Sequence, residues 1–302
     1  MHMAEENTVL DFQQFIDEVK AGVQEFYPDA DIRVTPTEKN NGLVLTGLTI
    51  MEPGKRVTPT IYLNGPYQSY REGTTLAELT AEVADTYREN RLEEDPEIPD
   101  IMDFEKIKDT ICCRLVNRER NRERLEKMPH RDFLDLAVIY FIPIDIGPGK
   151  DCRASITMMD AHAAKWTVDS DTLFSIARAN TERLFPSVLQ PMEEIIQGMC
   201  PGLSVHETSL HVLRNNGGGA AALLNEGVLR EFAEKHGDFY IFPSSVHEVI
   251  LYPLGQAEMM LEKEEASAMV RDVNRAQVAS DEILADHAYL YHADTGETEI
   301  LP

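Results

Sequence analysis

The sequence predicts an α+β fold with mixed, mainly antiparallel sheets and helices packed on them. Two observations lead to this prediction. Short segments with the alternating apolar pattern of strands and longer segments with the three-to-four spacing of helices are mixed along the chain. They do not follow the strict strand–helix–strand alternation of a doubly wound parallel sheet.

The first third of the chain contains a helix, three strands and a second helix. Apolar residues spaced three or four apart over 10–27 indicate a helix that ends before Pro28. The strands, bounded by turn residues, are predicted over 31–37, 43–51 and 57–63. The second helix is predicted over 76–90, where Thr75 is a suitable N-cap and Glu78 completes a capping box.

The middle of the chain is predicted to hold a strand buried on both faces. Residues 135–144 form a nearly continuous apolar run that is rich in β-branched and aromatic side chains. One face is expected to carry Leu136, Val138, Tyr140 and Ile142, and the other Ala137, Ile139 and Phe141. A turn at Gly147-Pro148-Gly149 leads to a predicted hairpin partner over 153–158.

The remaining elements alternate irregularly. Helices are predicted over 161–166, 171–184, 192–199, 226–236 and 258–273. Strands are predicted over 209–213, 239–242, 246–252 and 288–292. Ser170 or Asp169 is the expected cap of the helix over 171–184. A loop that starts at Pro201 predicts two α+β lobes, 8–200 and 205–302, with one compact unit as the alternative.

The net charge is the strongest signal in the composition. The 302 residues carry a formal charge of −25, from 53 acidic and 28 basic side chains. Because Lys and Arg supply contacts to phosphate backbones, direct nucleic-acid binding is not expected. The acids are spread along the chain, which is typical of a surface that keeps a protein in solution. The alternative is a mimic of nucleic acid that occupies a basic groove on another protein.

Three features favour a cytoplasmic protein without a membrane segment. The most apolar run, 136–144, is far shorter than the roughly 20 residues that span a bilayer. The first residues do not show the basic and apolar regions of a signal peptide. Four cysteines without CxxC spacing favour buried thiols in a reducing compartment: Cys112, Cys113, Cys152 and Cys200.

The sign of the charge reverses within forty residues. The stretch 93–105 contains seven acids and no base, whereas 114–131 contains seven basic residues and three Glu. Four arginines lie one helical turn apart in pairs: Arg118 with Arg122, and Arg120 with Arg124. If 117–127 is a helix, at least one arginine should face the acids of 93–105. A site for an anion or an acidic partner is the functional alternative.

The segment Ser244-Ser245-Val246-His247-Glu248 contains the catalytic candidates. A serine, a histidine and a carboxylate are the groups that nucleophilic catalysis uses. Since neighbours on a strand alternate faces, Ser245 and His247 can share a face while Glu248 lies on the other. No GxSxG motif frames either serine. The structural interpretation is a turn in which the serines hydrogen-bond to the backbone.

Other motifs lack a physical requirement of the chemistry they suggest. The segment from His206 to His211 is one residue longer than HExxH, and histidines five apart on a helix point about 140° apart. The glycines at 147–149 and 217–219 are not followed by the Gly-Lys-Ser/Thr of a phosphate-binding loop. No cofactor or metal is therefore predicted.

Three segments carry a resemblance to a known family. They read PTIYLNGPYQSYREG, HRDFLDLAVIYFIPID and NNGGGAAALLNEGVLREFAEKHGDFYIFPSSVHEVILYP. Together they resemble an uncharacterised domain-of-unknown-function family common in anaerobic Gram-positive gut bacteria, and more distantly the YtpQ-like proteins. The resemblance extends over about 12–300. It implies a shared fold and an intracellular bacterial origin, and it implies no activity, cofactor or site residue.

Three functional hypotheses follow from the sequence. The first is a non-catalytic binding or regulatory protein with a protein partner, because no intact metal, nucleotide or nucleophile motif is present. The second is a hydrolase-like enzyme with a polar site around Ser245 and His247. The third is an acidic inhibitor that mimics nucleic acid and binds a basic partner protein.

Overall fold

The computed structural model describes residues 9–146, 154–200, 209–256 and 261–302. Within these ranges the α-helices are α1 (Phe12–Phe26), α2 (Asn64–Arg71), α3 (Leu76–Asn90), α4 (Phe104–Ile107), α5 (Arg122–Leu125), α6 (Asp160–Ala163), α7 (Ser170–Leu184), α8 (Met192–Met199), α9 (Glu226–His236) and α10 (Lys263–Gln277). The described strands are β1 (Asp31–Glu38), β2 (Val44–Met51), β3 (Thr60–Tyr62), β4 (Cys112–Asn117), β5 (His130–Phe133), β6 (Leu136–Ile144), β7 (Ala154–Thr157), β8 (Val188–Pro191), β9 (His211–Arg214), β10 (Phe239–Phe242), β11 (Val249–Pro253), β12 (Tyr289–Tyr291) and β13 (Thr298–Ile300). All strand pairs between them are antiparallel, which confirms the α+β prediction.

Backbone contacts divide the chain into two units. The first contains Met1–Lys39 and Leu43–Glu97, and the second contains Asn40–Gly42 and Ile98–Pro302. The boundary expected near residue 200 therefore falls inside the second unit. Residues 201–208 lie outside the described ranges, but β8 and β9 on either side of them pair in one sheet.

The first unit consists of a three-stranded sheet, in the order β1–β2–β3, and helices α1, α2 and α3. Its core is formed by the apolar stripes of α1 and α3 and by inward side chains of the strands, including Phe15, Leu48, Ile50 and Val83. The Thr75 hydroxyl accepts the N–H of Glu78, so the predicted capping box is present. A local sequence signal therefore sets the start of α3.

The second unit contains two sheets that contribute to one core. In the four-stranded sheet, β6 lies between β4 on one edge and β5 and β7 on the other. The six-stranded sheet has the order β13–β12–β10–β11–β9–β8. Side chains from the facing sides of both sheets pack with α7 and α9 in this core, among them Leu115, Tyr140, Ile241 and Tyr289. The outer face of the six-stranded sheet is covered by α10.

Strand β6 is buried on both faces, as predicted. Leu136, Val138, Tyr140 and Ile142 lie in the main core. Ala137 and Ile139 pack on the other face with Leu125 and Met128, and Phe141 packs there with Phe185. The expected hairpin partner is also confirmed, because β7 pairs with the second half of β6.

The helix considered over 117–127 forms only in part, and the residues just before it belong to a strand. Residues Cys112–Asn117 form β4, which pairs along β6, and only Arg122–Leu125 are helical. Strand β4 has an alternating pattern in which Cys113 and Leu115 face the main core, but Arg114 between them makes the pattern hard to recognise in the sequence. Pairing with β6 decides the structure here, since strand preference depends strongly on neighbouring strands.

A buried tyrosine connects the two sheets of the second unit. Tyr289 of β12 is fully buried, and its hydroxyl donates a hydrogen bond to the Asp135 carboxylate, between β5 and β6. Burial is the main cause that raises the pKa of Tyr289 well above its ordinary value, followed by the adjacent carboxylate. The phenol therefore remains a neutral donor.

We expect Tyr289→Phe to lower the free energy of unfolding by about 1–3 kcal/mol, because it leaves a half-buried carboxylate without this donor. Urea unfolding measures the loss. Tyr291→Phe is the matched control on the same strand, and we expect a loss of less than about 0.5 kcal/mol. Equal losses in the two variants would contradict a specific role for the Tyr289 hydroxyl.

Candidate functional site

A pocket of about 450 Å³ opens between α7 and α9 in the second unit. Its floor is apolar and includes Cys113 of β4, Ala221 and Leu224, all of which are buried. The rim is polar, because α7 contributes Arg178 and α9 contributes Arg230. A closed apolar floor under a charged rim is the usual construction of a small-molecule site.

The charged side chains at the rim differ in whether another side chain pairs with them. Arg178 Nη1 lies 2.9 Å from Glu226 Oε1, so this pair is internally neutralised. Glu182 accepts hydrogen bonds from the backbone N–H and the hydroxyl of Ser187. Arg230 is exposed, and among the described residues no carboxylate forms an ion pair with it. Its guanidinium is therefore available at the rim for an anionic group.

The start of α9 is held by its own cap. Asn225 Oδ1 accepts the N–H groups of Gly227 and Val228 at 3.1 and 3.3 Å. These are the backbone donors that an anion would otherwise contact at a helix N-terminus. The side chain of Arg230, one turn further along α9, is accordingly the better group for contacting a ligand.

The thiol of Cys113 on the pocket floor is buried and protonated near neutral pH. Burial raises the pKa of Cys113 to about 11, and its Sγ lies 3.4 Å from Thr181 Oγ1. Cys112, on the opposite face of β4, likewise has its pKa raised to about 11 by burial. Because the thiolate is the reactive form of cysteine, these raised pKa values keep both thiols in the less reactive protonated form near neutral pH.

The catalytic candidates from the sequence do not converge on a triad. The Ser245 hydroxyl accepts the backbone N–H of His247 at 3.1 Å, as in the turn described above. The His247 ring extends away to Glu282, with Nε2 and Oε1 3.0 Å apart, and 59% of the His247 side chain is exposed. Glu248 is half-buried and is not the carboxylate that contacts His247. The sequence could not single out Glu282, because it lies far along the chain.

The glycine run after β9 has a packing role. A Cβ at Gly217 would approach the Phe185 ring to 2.1 Å, and one at Gly219 would approach the Val246 carbonyl to 2.3 Å. Asn215 Oδ1 accepts the N–H groups of Gly217 and Gly218. Backbone donors that would cradle a phosphate are thus already satisfied by this side chain.

The candidate arginine patch is largely compensated by acids of the second unit. Arg118 pairs with Asp132 at 3.1 Å, and Arg120 pairs with Asp286 at 2.7 Å. Arg122 lies 3.6 Å from Glu119, and Arg124 is half-buried in α5. None of the observed ion pairs of Arg118, Arg120 and Arg122 reaches the acids of 93–105. Acids of that stretch pair with local lysines: Asp100 and Asp103 with Lys106, and Glu105 with Lys108.

The Arg120–Asp286 pair belongs to a polar network. Asn117 Oδ1 accepts the backbone N–H of Arg120, and Asn274 Nδ2 donates to Asp286 Oδ1 at 2.9 Å. Burial would raise the pKa of Asp286, but the hydrogen bonds from Arg120 and Asn274 outweigh it and hold the pKa below its ordinary value. This arginine therefore stabilises the fold.

The pocket residues were missed by sequence reasoning for a physical reason. Arg178 and Arg230 lie on correctly predicted helices, where exposed arginines are common. Only the convergence of α7, α9 and β4 gives them a shared cavity. Predicting where each helix begins and ends does not predict that α7 and α9 lie side by side in the fold.

The described residues contain neither a metal cluster nor a membrane-spanning helix. No group of three or more His, Cys, Asp or Glu side chains in these ranges is arranged to hold a metal ion. His206, part of the motif that resembles HExxH, lies outside them. None of the described helices combines the length and apolar character needed to cross a bilayer.

Comparison with known proteins identifies a family without a known activity. Residues 12–293 match the model of a family of unknown function, DUF5688. Neither a curated protein nor a solved structure matches the chain significantly.

We expect Arg120→Met and Asp286→Asn to be coupled by about 0.2–1 kcal/mol in a double-mutant cycle, because both side chains remain about one-third exposed. Since the folded pKa of Asp286 is lowered, the pair stabilises the protein above the unfolded pKa of about 4. This contribution is lost as the pH falls through the folded pKa.

Urea unfolding near neutral pH and near pH 3 measures both effects. Part of the stability lost between the two pH values should disappear in Arg120→Met. Arg122→Met, whose partner Glu119 is highly exposed, is the control and should leave the pH dependence unchanged. An identical pH dependence in wild type and Arg120→Met would contradict the assignment.

Proposed function

Since the chain belongs to this family of unknown function, we propose from its geometry that it is a non-catalytic binding protein. The ligand is a small organic anion, and the site is the pocket between α7 and α9. The observation that carries the proposal is the exposed guanidinium of Arg230 above a buried apolar floor. The resemblance and the cysteine usage favour the bacterial cytoplasm as its compartment.

The size of the pocket supports a small ligand. Small-molecule sites typically have volumes of about 300–1,000 Å³, and this pocket has about 450 Å³. Cys113, Ala221 and Leu224 offer an apolar surface to the body of a ligand. A nucleic-acid strand or a protein segment would need a longer, open groove.

The charges at the rim support an anionic group on that ligand. Arg178 and Glu226 neutralise each other, and the Glu182 carboxylate keeps its charge but is turned to Ser187 by two hydrogen bonds. Arg230 remains, and its planar donors match carboxylate, phosphate and sulfonate oxygens. A protein partner that responds to the bound ligand would account for a regulatory role.

Anilinonaphthalene sulfonate is a suitable probe, because it combines an apolar body with one anionic group. We expect one saturable site in a fluorescence titration and about tenfold weaker binding in Arg230→Met, as expected for loss of a charge-assisted hydrogen bond. Ala179→Trp fills the pocket from an exposed position on α7 and should abolish binding.

The control is Arg88→Met, which removes an exposed arginine from α3 in the first unit. This variant should bind the probe as wild type does. Displacement of the probe by a panel of organic acids then identifies the class of ligand. Equal affinity of wild type, Arg230→Met and Ala179→Trp would overturn the proposal.

A hydrolase-like activity is the second candidate, and the His247–Glu282 pair is the observation that favours it. A carboxylate that holds an imidazole is one half of a serine-hydrolase site. The Ser245 hydroxyl, however, accepts a backbone N–H and so has a structural bond already. The nucleic-acid mimic stays a third hypothesis, which rests on the net charge alone.

On the binding proposal, Ser245→Ala should lower the free energy of unfolding by about 0.5–1.5 kcal/mol, the usual net contribution of a hydrogen bond. A fluorophosphonate probe should not label the protein, as mass spectrometry of tryptic peptides would show. Labelling of Ser245 that His247→Ala prevents would instead favour the hydrolase.

A further inference from the structure

Arg114 is a rigidly positioned cation on the outer face of the four-stranded sheet. Its guanidinium carbon lies 3.8 Å from the centre of the Phe141 ring. Nε donates to the Gly217 carbonyl at 3.3 Å, and Nη1 donates to Ser155 Oγ at 3.2 Å. Stacking and two hydrogen bonds thus fix both the plane and the direction of the guanidinium.

The surroundings of Arg114 are apolar and neutral. Two clusters flank it on this face, one containing Val116 and Ile139 and the other containing Cys112 and Phe141. Burial lowers the pKa of Arg114, which means that water solvates the charge poorly. In the described part of the chain, both of its hydrogen-bond acceptors are uncharged and no carboxylate forms an ion pair with it.

Donors remain on this guanidinium for a ligand. A guanidinium carries five N–H groups, and the bonds to Gly217 and Ser155 use two of them, which leaves three. The Ser155 hydroxyl accepts from Arg114 and still has its own proton to donate. Arg114 and Ser155 are both half-buried, so part of this donor set reaches solvent.

We propose that Arg114 and Ser155 form a binding site for a small oxyanion, a phosphate or carboxylate group. The guanidinium is pre-positioned by neutral acceptors, so its remaining fork can bind two oxygens at once. The site is separate from the pocket between α7 and α9, because Arg114 and Cys113 lie on opposite faces of β4. It does not depend on the function proposed above.

The test uses inorganic phosphate and sodium acetate, each against chloride at equal ionic strength, with thermal unfolding as the readout. An anion that binds only the folded protein raises the melting temperature. The rise grows with the logarithm of one plus the ratio of the free anion concentration to its Kd. We expect a saturable rise for wild type that is absent in Arg114→Met. The anion with the larger rise identifies the preferred group.

Arg118→Met is the matched control, because Arg118 is a surface arginine near the same strand that pairs with Asp132. It should keep the full response to the anion. In chloride, Arg114→Met should melt somewhat lower than wild type, since the Gly217 carbonyl and Ser155 lose a donor, so the test compares the response to the anion and not the melting temperature itself. Binding of anilinonaphthalene sulfonate in the other pocket should be unchanged in Arg114→Met, which separates failure of this site from failure of that one.

One result would overturn the proposal. If Arg114→Met melts lower than wild type by the same amount in chloride and in phosphate, the response to phosphate does not depend on Arg114, which would then be a structural residue only.

Discussion

The second unit depends on one constraint, which is that β6 is apolar on both of its faces. A strand of this kind cannot lie at a solvated surface, because each uncovered face would leave large side chains in water. One face is covered by the shared core of the two sheets. The other needs a second layer, and short segments around Leu125, Met128 and Phe185 provide it. Arg114 lies between the two parts of this layer and stays half-buried.

The loop from Asn215 to Gly219 contributes to both faces of the four-stranded sheet. Asn215 lines the pocket between α7 and α9, while the Gly217 carbonyl accepts from Arg114 on the other face. The loop can approach Phe185 and the Val246 carbonyl only because Gly217 and Gly219 lack a Cβ. A stretch that resembles a flexible linker in composition is therefore a closely packed structural element.

Elements with strong periodicity could be predicted from the sequence, and elements defined by their neighbours could not. Helices α1, α3, α7 and α9 and strand β6 appear within a few residues of their expected bounds. Strand β4 was missed because Arg114 and Asn117 interrupt its apolar pattern, and only pairing with β6 makes them strand residues. The same limit applies to the pocket, where Arg178 and Arg230 converge from separate helices. For His247, the carboxylate nearest in sequence is Glu248, but the fold places the Glu282 carboxylate next to the imidazole ring.

The two adjacent cysteines of β4 have a consequence for how the native state can be observed. Cys112 faces Phe141 and Phe185, while Cys113 faces the main core, and burial suppresses ionisation of both thiols. An alkylating reagent can reach either sulfur only when the layer that covers it separates from the sheet. Modification of Cys112 therefore reports opening of the layer that contains Phe185, and modification of Cys113 reports opening of the main core. Among the described cysteines, Cys200 is exposed and would be modified first. Its rate of modification is a reference against which the slower rates of Cys112 and Cys113 can be compared.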